Sequence, residues 1–227
     1  MTVILVLATF LVFIVLDYIL NRRKSMATVP AAAGARAGSP VPVAPGGNYV
    51  DGFLVPQNLA YHPGHTWVVR ERKGYLRVGA DEFAAALLGG IDRIELPKPG
   101  QWIRQGQKVA TFGKGELKTA MVSPTEGEVL EINPEILNNP AVLRQDPYGK
   151  GWLMAVHVPD EENTGRNLVP KGLVREWMRD AVERLYAEQP ALAGAAAADG
   201  GRPTEDLLAP LPSSDWAEIT GEFFLTL

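Results

Sequence analysis

The sequence predicts a mainly β domain, either a sandwich or a partly open barrel. Three observations carry this. Between Tyr49 and Val158, short runs rich in Val, Ile, Tyr, Trp and Thr follow one another closely, as strands on a half-buried pleated surface do. Gly and Pro punctuate those runs, which suits the tight turns of an all-β fold. A long stretch of helical periodicity appears only from Pro170 onward.

Taken in order, the folded part begins near Tyr49 to Leu54. "HTWVVRERKGYLRVGA" (65–80) reads as strand, turn, strand, with Gly74 free to take a positive φ. "DEFAAALLGG" (81–90) reads as a short helix, capped by Asp81 and ended by Gly89. "IDRIELP" (91–97) is a strand, Gly100 and Gly106 mark turns, and 109–112 and 128–133 are further strands. The run "NPEILNNPAVLRQDPYGKG" is a loop with short helical turns before the strand "WLMAVHV" (152–158).

The flanks differ in kind. In "PKGLVREWMRDAVERLYAEQ" (170–189), Val174, Met178, Ala181, Val182 and Leu185 form one apolar stripe, which packs on the β domain. Residues 190–212 are rich in Ala, Gly and Pro and read as a linker. The end, 213–227, is an amphipathic segment: Asp215 and Glu218 have capping-box spacing, and Trp216, Ile219, Phe223 and Leu227 form its apolar side. Leaving those side chains in water forgoes about 1.5–3 kcal/mol each, so docking back on the chain's own domain is expected, with a partner-binding peptide as the other reading.

At the other end, "VILVLATFLVFIVLDYIL" (3–20) is apolar on every face and would span roughly 27 Å as a helix. Arg22, Arg23 and Lys24 follow it directly, the reverse of the charge order in a secretory signal. Residues 1–24 therefore read as a transmembrane anchor and 25–48 as a flexible linker. The expected localisation is a single-pass membrane protein with its C-terminal domain cytoplasmic.

Composition removes several function classes. The 227-residue chain has a formal charge of −4, which argues against nucleic acid as a partner. It has no cysteine, so thiolate metal sites, iron–sulfur clusters and cysteine nucleophiles are excluded. His62 and His65 are spaced as a metal pair but no third ligand accompanies them, and His157 alternates within a strand. "DPYGKG" lacks the spacing of a phosphate loop and reads as a turn. No catalytic residues or metal ligands are assigned.

"YHPGHTWV", "LRVGADEFAAALLGGIDRIELPKPGQWIRQGQ" and "SPTEGEVLEINPEILNNPAVLRQDPYGKGWLMAV" resemble, in order and spacing, the glycine cleavage system H protein family. The likeness covers about 61–158. It implies a biotinyl/lipoyl-type hammerhead β-sandwich with short peripheral helices for residues 49–169, and a carrier rather than an enzyme. In that family a lysine at a hairpin tip carries lipoate, which shuttles an aminomethyl group between partner enzymes. The implied partners are the proteins of a glycine-cleavage-like complex and lipoylating enzymes.

The corresponding stretch here, "FGKGELKTAMVSP" (112–124), is three residues shorter than the family's hairpin. Counting from its two ends places the family lysine on Glu116 or on Thr119, neither of them a lysine. Keeping both stems in register pairs Phe112 with Val122 and centres the fold-back on Leu117, with Glu116 and Lys118 beside the tip. Lys118 is then the candidate lipoyl attachment point and Lys114, on the stem, the weaker alternative. Biotin fits less well, because its lysine is flanked by methionines and Lys118 by Leu117 and Thr119. A non-lipoylated binding or scaffold protein of the same fold, at the membrane, is the other function considered.

Overall fold

The computed structural model describes residues 48–192 and 206–227. The chain opens with a hairpin, β1 (Tyr49–Val50) and β2 (Phe53–Leu54). Its loop, Asp51-Gly52, has positive φ at both residues, the backbone of a type I′ turn. There follow β3 (Ala60–His62), β4 (Thr66–Arg72) and β5 (Tyr75–Ala80). The β4–β5 turn uses Gly74 at φ 70°, as the sequence predicts.

Helix α1 (Glu82–Leu88) comes next. Asp81 Oδ1 accepts from the Ala84 amide at 2.8 Å, and Gly89 ends the helix at φ 60°, so both expected caps are in place. Strands β6 (Arg93–Glu95), β7 (Trp102–Ile103), β8 (Lys108–Lys114), β9 (Leu117–Val122) and β10 (Gly127–Ile132) follow. Gly100 and Gly106 make their turns at φ 83° and 74°. Two short helices, α2 (Pro134–Asn138) and α3 (Ala141–Gln145), precede β11 (Trp152–His157). Beyond it lie α4 (Glu161–Arg166), α5 (Val174–Glu188) and α6 (Ser213–Phe223).

The strands form a six-stranded sheet in the order β3-β4-β5-β11-β10-β7 and a three-stranded sheet in the order β6-β8-β9. The central strands β5 and β11 of the larger sheet are buried on both faces, while β10 alternates between buried and exposed residues over Gly127–Leu130. Tyr61, Trp67, Val78 and Met154 from the first sheet and Ile94, Phe112 and Met121 from the second belong to one buried core. This is the sandwich-like architecture expected. Trp67 anchors it: its indole donates to the Ala80 carbonyl at 2.8 Å, and a Cβ on the neighbouring Gly79 would stand 2.3 Å from the ring. The "DPYGKG" stretch is a turn, with the Asp146 carboxylate accepting from the Lys150 amide at 2.8 Å.

The stripe read from the sequence is the buried face of α5: Val174, Met178, Ala181, Val182 and Leu185. The C-terminal segment docks on the chain's own domain. Trp216, Ile219, Phe223 and Phe224 are buried, and the Trp216 indole donates to the Leu87 carbonyl at 3.1 Å. Two details differ from expectation. The helix starts at Ser213 with no side-chain cap, which places Asp215 inside the first turn instead of at the N-cap. Leu227 is 84% exposed, and Phe224, just past the last helical turn, takes the buried place. Segment 190–212 also packs at both ends, because Leu192, Leu207 and Leu208 are buried.

The expected localisation, a single-pass membrane protein with a cytoplasmic C-terminal domain, is corrected. Among the described residues no helix is long and apolar enough to cross a membrane. The longest of them, α5 at 15 residues, falls short of a span and is charged over one face. Residues 3–20, on which the expectation rested, lie outside the described residues.

Two changes test the docking of α6. Trp216→Ala removes a buried indole and its hydrogen bond and is expected to cost about 3–5 kcal/mol. Removal of residues 213–227 is expected to lower the melting temperature clearly. Thermal unfolding followed by circular dichroism checks both, and an unchanged midpoint would contradict the docking.

Candidate functional site

The β8–β9 hairpin holds both candidate lysines. Lys114 pairs with Leu117, Gly113 with Lys118 and Phe112 with Thr119. The loop is therefore the two residues Gly115 and Glu116, not a fold-back centred on Leu117. Gly115 takes φ 60° at the first central position while Glu116 does not have a positive φ, the pattern of a II′ turn. The expected opposition of Phe112 and Val122 is replaced by Lys108 opposite Val122, and the register shifts between Lys108 and Ala110. A bulge at the base of the hairpin, not an odd loop at its tip, absorbs the extra residue. Leu117 is partly buried against the core and so is not the exposed apex that the sequence reading required.

The turn is held from outside the hairpin. Asp92 donates its amide to the Gly113 carbonyl at 2.9 Å and accepts from the Gly115 amide through its carboxylate at 2.6 Å. These two bonds fix the tip relative to β6.

Strand alternation sorts the two lysines onto opposite faces. Arg93, Gly113 and Lys118 form one cross-strand row on the outer face; Ile94, Phe112 and Thr119 form the next row, facing inward. Lys118 is exposed and has no ion pair or hydrogen bond with another described residue. Its cross-strand neighbour contributes no side chain, and the Arg93 guanidinium lies over that bare position: a Cβ on Gly113 would stand 3.0 Å from Nη2. Lys114 points inward. Its Nζ is 2.8 Å from Asp206 Oδ2 and 5.9 Å from the centroid of the Trp216 ring. The structure thus separates the two candidates by availability.

The histidines read as a metal pair are used otherwise. His65, at φ 58°, places Nδ1 2.9 Å from Asp81 Oδ2, with both side chains buried. Its ring lies against Phe83 at 4.5 Å, Trp177 at 4.7 Å and Phe223 at 6.1 Å, which joins α1, α5 and α6. His62 accepts from the Gly64 amide through Nδ1 at 3.0 Å. Burial, assisted by His65, pushes its imidazole down to about 4. Burial likewise raises the hydroxyls of Tyr61 and Tyr148, which stay protonated donors to the carbonyls of Pro56 and Leu54. Among the described residues no group of three or more His, Asp or Glu side chains is placed to hold a metal ion.

Sequence reasoning missed Asp92, Arg93, Gly113, Asp206 and Trp216 as parts of this site. Asp206 sits in a stretch read as linker. The signal there was "DLL", whose two leucines are buried and bring the aspartate to the hairpin.

The site is thus a β-sandwich hairpin with an exposed lysine, Lys118, beside a turn held by Asp92. Residues 59–181 match the family model described as glycine cleavage H-protein. A probable glycine cleavage system H protein 2 of Sulfurisphaera tokodaii is 32% identical over 111 residues, covering 48% of this chain and 75% of that protein. The glycine cleavage system H protein of Pectobacterium atrosepticum is 33% identical over 118 residues, covering 52% of this chain and 91% of that one. Among solved structures, a glycine cleavage system H protein from Mycobacterium marinum is 26% identical, covers 50% of this chain and 98% of its own, and gives a TM-score of 0.43. The chain belongs to the glycine cleavage H-protein family. Members of that family are carrier components, not catalysts, and hold lipoate covalently on a lysine. The matched region begins at residue 59 and does not include 3–20.

Gly115→Val forces a β-branched residue into a positive-φ position and is expected to destabilise the domain by about 1–2 kcal/mol, read from denaturant unfolding. His62 yields a pH prediction. The imidazole stays neutral in the folded chain down to about 4, whereas in the unfolded chain it titrates near 6.5. The unfolded state therefore binds the extra proton, and stability falls as pH drops from about 6.5 toward 4. His62→Asn keeps an acceptor for the Gly64 amide and should show a shallower loss over that window in thermal unfolding at stepped pH.

Proposed function

We propose that this chain is a lipoyl carrier of the glycine cleavage H-protein type, with Lys118 as the attachment point. The observation that carries the proposal is the availability of Lys118. It is the exposed, unpartnered amine of the hairpin, two residues beyond a turn that Asp92 holds in place. Family membership supports the same reading.

The residues present fit the group. A ligase has to reach the amine; on the outer face Lys118 has Gly113, Thr111 and Ala120 within its own hairpin, all small, and the Arg93 guanidinium across Gly113 is the large group beside it. The arm has to swing from a point that does not itself move, and the paired strands with the Asp92 contacts supply that base. Lys118 would hold the lipoate, whose dithiolane would supply the means of carrying an aminomethyl group between partner enzymes. The chain's own part is to hold the anchoring nitrogen outward and to keep the hairpin backbone fixed. The proposed partners are the enzymes of a glycine-cleavage-like complex and the enzyme that lipoylates the lysine.

Intact-mass analysis after expression in cells with lipoylating enzymes and lipoate tests the proposal. One lipoyl adduct per chain is expected, lost in Lys118→Arg and retained in Lys114→Arg. An adduct that persists in Lys118→Arg would move the site. An unmodified chain under those conditions would contradict the carrier reading and favour a binding protein that keeps the fold without the group.

A further inference from the structure

We propose that the C-terminal segment selects the lysine of the hairpin that can be acylated, by occupying the other two. The proposal rests on the carrier reading for its purpose, but its geometry is independent of it. Strands β8 and β9 carry three lysines: Lys108, Lys114 and Lys118. Lys114 is ion-paired with Asp206 at 2.8 Å and lies near the Trp216 ring. Lys108 Nζ donates to the backbone carbonyl of Thr226. Only Lys118 of the three has no partner among the described residues.

The two contacts come from one anchored segment. Leu207 is buried beside Asp206, and its amide donates to the Ala86 carbonyl at 3.0 Å. Asp206 Oδ2 also stands 3.4 Å from the Gly90 amide. Trp216 is held by the Leu87 carbonyl, and α6 ends at Phe223, just before Phe224, whose carbonyl lies against Gly64. The segment therefore brings a carboxylate to the tip of the hairpin and a carbonyl to its base. It lies beyond the region matched to the family, which ends at 181.

The chemistry explains why occupancy selects. Acylation requires the neutral amine to attack the carbonyl carbon of an activated acyl donor, such as an acyl adenylate or an active ester. A carbon–nitrogen bond forms, the bond to the leaving group breaks with its electron pair, and the nitrogen releases a proton to solvent. Lys114 has to break its ion pair with Asp206 before its nitrogen can do this. Lys108 has to give up the Thr226 carbonyl. Lys118 gives up only water.

Limited labelling with sulfosuccinimidyl acetate, followed by proteolysis and mass spectrometry, measures the three lysines against exposed Lys98 as reference. In the full chain Lys118 is expected to label at the rate of Lys98, and Lys114 several-fold more slowly. Asp206→Asn is a mild change, with circular dichroism to show that the fold is kept. It should raise labelling of Lys114 several-fold and leave Lys118 unchanged. Deletion of 206–227 should raise Lys114 and Lys108 together. Equal rates for Lys114 and Lys118 in the full chain would overturn the proposal, as would an unchanged Lys114 rate in folded Asp206→Asn. The reagent needs no lipoylating enzyme. Selective labelling can therefore hold even if cells leave Lys118 bare, and lipoylation at Lys118 with equal chemical rates would reject the selector alone.

Discussion

The pairing register of β8 and β9 is the constraint on which the rest of this site depends. Side chains alternate with a period of two, so a slip of one residue would exchange the two faces of the hairpin. In the observed register Phe112, Thr119 and Met121 are buried, while Lys118 faces solvent. The same register makes the loop Gly115-Glu116, whose glycine takes the positive φ that a side chain would resist. It also lines Gly113 up with both Arg93 and Lys118. An exposed amine, a short turn and a bare neighbour thus follow from one set of backbone pairs.

The inward face needs a cover, and the chain supplies it from far along its sequence. Helix α6 lays Trp216, Ile219 and Phe223 over the space between α1 and β9. His65 joins this arrangement from the other side: its ring touches Phe83, Trp177 and Phe223, and its Nδ1 meets the carboxylate that caps α1. A buried polar pair of this kind is tolerated because both partners are satisfied.

Much of this was legible in the sequence, for reasons that are local. Gly74, Gly89, Gly100 and Gly106 all adopt positive φ, and each stood where a strand or helix had to turn. Asp81 caps the helix it precedes, and the apolar stripe of 174–185 is the buried face of α5. The site was less legible, because its decisive features are not local. Loop parity was misjudged because the odd residue is absorbed by a bulge between Lys108 and Ala110, several residues away from the turn. The partner of Lys114 is Asp206, 92 positions distant, in a stretch whose Ala and Gly content masked two buried leucines. Asp215 and Glu218 have capping-box spacing without the geometry, since the helix already begins at Ser213.

The absence of cysteine from this chain allows a direct test of the register. Thr111 stands opposite Ala120 on the outer face, and directly opposed residues lie within the Cα separation that a disulfide spans, about 4.4–6.8 Å. Thr111→Cys with Ala120→Cys is expected to close an intramolecular disulfide on mild oxidation, seen as the loss of two free thiols by mass. Thr111→Cys with Ser123→Cys, opposed if Phe112 faced Val122, is expected to stay reduced. Cross-linking of the second pair and not the first would contradict the register, and with it the placement of Lys118.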